Sequence, residues 1–117
     1  MRALPHPEVA ELELATVLEA LSDPTRLSIV LQLEDCAEAE SRCGAFLNLG
    51  AKTNLTYHFA KLRAAGVVRT RVEGTARYMS LRKADLDRRF PGLLDSILSA
   101  ASKAARATAK ERTRKRA

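Results

Sequence analysis

The feature that most constrains this chain is a change of hydrophobic period at Gly66. Before it, Leu55, Phe59 and Leu62 recur at i, i+4 and i+7 within residues 52–65, the spacing of one helix face. After it, Val68, Thr70 and Val72 alternate with Arg69 and Arg71, the period of a half-buried strand. Gly66 between the two suits a helix C-cap, where the backbone turns left-handed. Glu73 to Ala76 is a glycine-containing loop of hairpin length, and Arg77 to Leu81 reads as the return strand. A hairpin hung directly on the end of a helix leaves few folds open.

The rest of the apolar pattern is helical. Residues 8–22 predict a helix with Leu14, Val17, Leu18 and Leu21 on one face. Ser22-Asp23-Pro24 ends it and starts another. Asp23 can cap free N–H groups, and Pro24 fits the first helical position, where no donor is needed. Leu27, Ile29, Val30, Leu31 and Leu33 cover most of the second helix, which is expected to be the most buried element. Residues 34–42 are acidic and alanine-rich and read as a helix end and loop. A short helix over Ser41 to Leu47, a turn at Asn48-Leu49-Gly50 and a helical turn over 84–89 follow from the same reasoning. Pro91 is expected to open a last helix carrying Leu94, Ile97, Leu98 and Ala101 on one face.

This order predicts a mainly α fold, a winged helix-turn-helix of about five helices plus a two-stranded β-hairpin wing. The short helix and residues 52–65 form the reading pair, with the second of them entering the major groove. Residues 1–102 form the domain. Residues 103–117 are a basic C-terminal tail without a core face, either a frayed helical extension or disordered.

Charge supports a polyanionic partner. The chain of 117 residues carries a net +6, unevenly placed. Residues 1–51 balance to −6, residues 52–89 to +7, and residues 103–117 to +6. Nucleic acid is the first candidate partner for such a middle and tail. The longest uncharged stretch, Cys43 to Ala51, is too short to span a bilayer, and no secretory signal is evident. Two cysteines cannot build a disulfide framework, so the cytoplasm is the expected compartment. An enzyme would need a nucleophile and base, and Cys36 or Cys43 with His58 is the only pair on offer.

Two segments resemble a known family. Asn54 to Val68 (NLTYHFAKLRAAGVV) is similar to the recognition helix and helix end of the ArsR/SmtB bacterial repressors. Leu18 to Leu27 (LEALSDPTRL) resembles the junction between that family's first two helices. The resemblance covers roughly residues 10–100 and implies a homodimeric DNA-binding repressor. It implies dimerisation through the first and last helices, here Leu14, Val17, Leu18, Leu94, Ile97 and Leu98.

The residues agree with that implication. Lys52, Thr53, Asn54, Thr56, Tyr57 and His58 lie off the apolar stripe of their helix, the polar exposed side that direct readout needs. Asn54 suits a bidentate contact with adenine, and Lys61, one turn on, suits the phosphate backbone. Arg71 and Arg77 flank the wing loop and suit phosphate or the minor groove. His58 is either a DNA contact or a structural residue tucked under the helix. The tail either adds sequence-independent phosphate contacts or serves solubility.

The inducing signal is less legible. Where the family's thiolate sensors carry a Cys-x-Cys pair, this chain has Glu40 and Arg42. Its final helix offers carboxylates but no histidine. A regulatory metal ion would therefore lack the family's usual ligands, and the reading requires no cofactor. Cys36 and Cys43 are the candidate effector residues, either as a redox pair or as a small buried hydrophobe and an incidental thiol. Hard-ion binding at Glu38 and Glu40 stays open. Control can be metal, redox or a regulatory partner protein. The competing function is a non-specific architectural DNA-binding protein relying on tail and wing; the polar, lysine-poor reading helix favours the sequence-specific regulator.

Overall fold

The computed structural model describes residues 4–35 and 41–116. Among the described residues, five α-helices carry the fold: α1 (Leu14–Leu21), α2 (Pro24–Glu34), α3 (Lys52–Ala65), α4 (Lys83–Arg89) and α5 (Leu93–Arg116). Three antiparallel strands, β1 (Ser41–Arg42), β2 (Val68–Glu73) and β3 (Ala76–Leu81), lie in the order β1-β3-β2. Two 3₁₀ segments, Val9–Glu11 and Cys43–Leu49, precede α1 and α3.

The local signals explain most boundaries. The Asp23 carboxylate accepts from the backbone N–H of Thr25 and Arg26 at 2.8 and 3.1 Å, capping α2, with Pro24 at its start. Gly66 takes φ 83° at the end of α3, and its N–H bonds back to the last turn. β2 and β3 pair from Val68↔Leu81 to Glu73↔Ala76, leaving Gly74-Thr75 as a two-residue turn. Gly74, at φ 59°, supplies the positive φ that such a tight hairpin needs at its first central position.

The core joins every helix to the sheet. Val17 and Leu21 of α1, Ile29 and Val30 of α2, Leu55 and Leu62 of α3, Met79 of β3, Leu86 of α4 and Leu94 and Leu98 of α5 are buried together. Phe46, fully buried, meets Phe59 edge to face at 5.7 Å and so locks the 3₁₀ segment against α3.

Four expectations change. The first helix does not run over 8–22: Glu13 is extended (ψ 132°), and the chain kinks between the 3₁₀ turn and α1 so that Leu12 can sink into the core. The sheet has a third strand, since Ser41 and Arg42 pair with Met79 and Tyr78 instead of starting a helix. The helix expected over Ser41 to Leu47 is the 3₁₀ segment Cys43–Leu49. The last helix starts at Leu93, after Pro91 and Gly92, rather than at Pro91; its run to Arg116 is the helical one of the two forms considered for the tail. Among the described residues, no helix is long and apolar enough to cross a membrane.

Candidate nucleic-acid interface

The buried stripe of α3 is Leu55, His58, Leu62 and Ala65. That fixes what the helix offers to its surroundings. Lys52, Thr53, Asn54, Thr56, Tyr57 and Lys61 are all exposed, as their positions off the stripe predict. Thr56 Oγ1 donates to the Lys52 carbonyl at 2.9 Å, a bond back to the preceding turn. Tyr57 is 55% exposed, and Lys61 Nζ stands 5.8 Å from its ring centroid. The result is a polar, cationic ridge along the N-terminal half of α3.

His58 does not belong to that ridge. It is only 7% exposed, and its Nδ1 lies 3.2 Å from Arg26 Nη1 and 4.0 Å from Asp23 Oδ1. The DNA-contact role considered for it is corrected: its ring faces the α1–α2 junction, because Arg26 and Asp23 supply a polar pocket there. Sequence reasoning missed Arg26 as its partner, although the DPTR junction held the signal.

In the wing, the strand alternation turns Arg69 and Arg71 outward and Val68 and Thr70 inward. Arg71 faces Tyr78 across the ladder, its guanidinium 4.6 Å from the ring centroid, and pairs with Glu73 at 2.7 Å. Arg77 is exposed opposite Val72. The wing residues singled out from the sequence therefore project from one hairpin, and Tyr78 is a support the sequence did not reveal. Arg69 reaches back to Asp85 at 3.6 Å, which Arg82 also holds at 2.9 Å, so the base of the wing is tied to α4.

The residues expected at a dimer surface divide into two groups. Val17, Leu94 and Leu98 are buried in the chain's own core, so they are not free to meet a second copy. Leu14 and Leu18 remain 47% and 42% exposed on α1, and Ile97 is half-buried. Cys36 and the Glu38 and Glu40 carboxylates lie outside the described residues, as does the Cys43 side chain. Among the described residues, no group of three or more His, Cys, Asp or Glu side chains is placed to hold a metal ion.

A helix pair with a polar outer ridge, followed by a hairpin bearing outward arginines, defines a winged helix-turn-helix DNA-binding protein. No family model matches the chain. An uncharacterized HTH-type transcriptional regulator of Bacillus subtilis (strain 168), YceK, is 34% identical over 89 residues, which span 71% of this chain and 84% of that protein. HlyU from Vibrio cholerae superposes with a TM-score of 0.52 at 26% identity, over 65% of this chain and 89% of its own. The transcriptional repressor BigR from Xylella fastidiosa gives 0.52 at 27% identity, over 65% of this chain and 84% of its own. The fold is shared as well by an ArsR family transcriptional regulator, with a TM-score of 0.58 at 19% identity, over 80% of this chain and 96% of that one. The chain belongs to the HTH-type transcriptional regulators, and its fold is that of the ArsR family regulator above. It is a DNA-binding regulator rather than an enzyme.

Proposed function

We propose that the chain is a cytoplasmic, homodimeric repressor that recognises a palindromic operator. Lys52, Thr53, Asn54, Thr56 and Tyr57 read bases and adjoining phosphates. Lys61, Arg71 and Arg77 hold the backbone on either side. The observation that carries this reading is the exposure of the whole N-terminal ridge of α3 while its other face is locked in the core. Direct readout needs such a rigid helix with free amide and hydroxyl groups. BigR, similar in fold, is by its name a repressor.

Leu14 and Leu18 support the dimer, since two exposed leucines one turn apart on α1 gain from burial against a second copy. Residues 1–102 act as the regulatory domain, and the basic residues 103–117, of which 103–116 prolong α5, add phosphate attraction independent of sequence. Release from DNA answers to a metal, redox or partner-protein signal, with Cys36 and Cys43 as the residues to probe.

The test is selection from a randomised duplex library, followed by titration of the selected and a scrambled duplex at several salt concentrations. The expected outcome is a two-fold symmetric site with half-sites about 34–36 Å apart, bound as a dimer and at least ~10³-fold more tightly than the scrambled duplex. Equal affinities that collapse together with salt would instead describe a non-specific architectural protein.

A further inference from the structure

One buried guanidinium connects the end of α1 to the middle of α3. Arg26, 9% exposed, donates from Nε to the Ala20 carbonyl at 2.6 Å and from Nη2 to the Glu19 carbonyl at 3.4 Å. Both carbonyls belong to the last turn of α1, and that of Glu19 also accepts from the Ser22 N–H at 3.2 Å and the Ser22 hydroxyl at 2.7 Å. The remaining arm, Nη1, meets His58 Nδ1 at 3.2 Å. A guanidinium only donates, so in this contact Nδ1 is the acceptor. The ring in turn packs edge to face with Tyr57 at 5.4 Å.

We propose that Arg26 and His58 are positioning residues that set the orientation of α3 relative to α1, and through it the sequence preference of the DNA-reading ridge. This rests on the reading of that ridge given above. Leu55 and Leu62 anchor α3 in the core by apolar contacts, which are non-directional. The planar fork of Arg26 is directional: it fixes one azimuth for His58, which adjoins Tyr57 and lies one turn from Asn54. A buried charge of this kind gives little net stability compared with apolar packing. It does give one geometry, and bidentate base contacts depend on geometry. Because α1 also carries the exposed Leu14 and Leu18, the fork connects the proposed dimer helix directly to the reading helix.

The experiment compares the full-length protein with R26K, H58L and H58Q on the selected and scrambled duplexes, with thermal melting and sedimentation run alongside. H58L and R26K are expected to stay folded and to lose about tenfold in preference for the selected duplex, while affinity for scrambled DNA changes less than about twofold. H58Q is expected to recover part of the preference, since its amide oxygen can accept from Arg26. The double variant R26K/H58L should lose no more than either single change. Folded variants with unchanged preference overturn the proposal. So does a parallel loss on both duplexes, or loss of folding in all three variants, which would assign the fork to stability alone. An unsubstituted protein with no preference would take down the operator reading itself, and this inference with it.

Discussion

Gly66, left-handed at φ 83°, lies directly against the side chain of Leu12. A methyl group at Gly66 would drive into Leu12 Cδ2 and come within 3.2 Å of Pro7 Cγ. The glycine therefore serves twice, once for the turn out of α3 and once for the approach of the N-terminal segment. Gly66→Ala is expected to lower stability by about 1–3 kcal/mol through positive φ and overpacking together. Denaturant unfolding checks this. Leu12→Ala alone should cost about 2–5 kcal/mol. Combining the two should cost less than the sum, because truncating Leu12 removes the clash.

The reading ridge and the wing separate two kinds of contact. Asn54→Ala is expected to cost about 1–3 kcal/mol on the selected duplex and to relax preference at one base position. Lys61→Ala and Arg77→Ala are expected to weaken selected and scrambled duplexes alike and to lower the salt slope by about one each. Affinity measured against salt distinguishes the two patterns.

Thr70 of β2 donates its backbone N–H to His6 Nε2 at 3.0 Å, which pins residues before α1 to the wing strand. Burial and the neighbouring Arg69, with smaller effects of Arg63 and Arg82, lower the His6 pKa from its ordinary 6.5; a Leu4 backbone hydrogen bond opposes them. The neutral ring is thus the folded form, and the unfolded chain takes up the proton first. Its stabilisation is complete above 6.5 and is lost as pH falls from there through the lowered folded value. His6→Gln, whose amide oxygen accepts without titrating, should flatten that component of the stability–pH curve. Unfolding midpoints of both proteins on either side of pH 6.5 give the comparison.

Leu14→Glu and Leu18→Glu probe the α1 face. Both positions are already exposed, so the fold should change in stability by no more than about 0.5 kcal/mol. Sedimentation should show the dimer dissociating at concentrations where the unsubstituted protein remains associated. Operator affinity should fall with it, while Val17→Glu, at a buried position, should unfold the chain.

What the sequence by itself determined is the set of elements whose cause is local. The span of α3, its glycine cap, the β2–β3 hairpin and the Asp23-Pro24 start of α2 all stand where period, cap and turn chemistry put them. So does the exposure of Asn54, Tyr57 and Lys61, which follows from the position of the apolar stripe. Tertiary structure decided whatever depends on a partner distant in the chain. His58, i+3 from Leu55 and i−4 from Leu62, lies on the buried side of α3 by helix period, but its partner Arg26, 32 residues away, is supplied only by the fold. The first helix broke at Glu13 because Leu12 had a place beneath Gly66. Ser41 and Arg42 became a strand because β3 left them an open edge. Leu94 and Leu98 share their face with Ile97, yet they were drawn into the chain's own core, a choice between equivalent apolar positions that only packing makes. Short-range signals say which face of a helix is apolar, and the assembled core determines what that face meets.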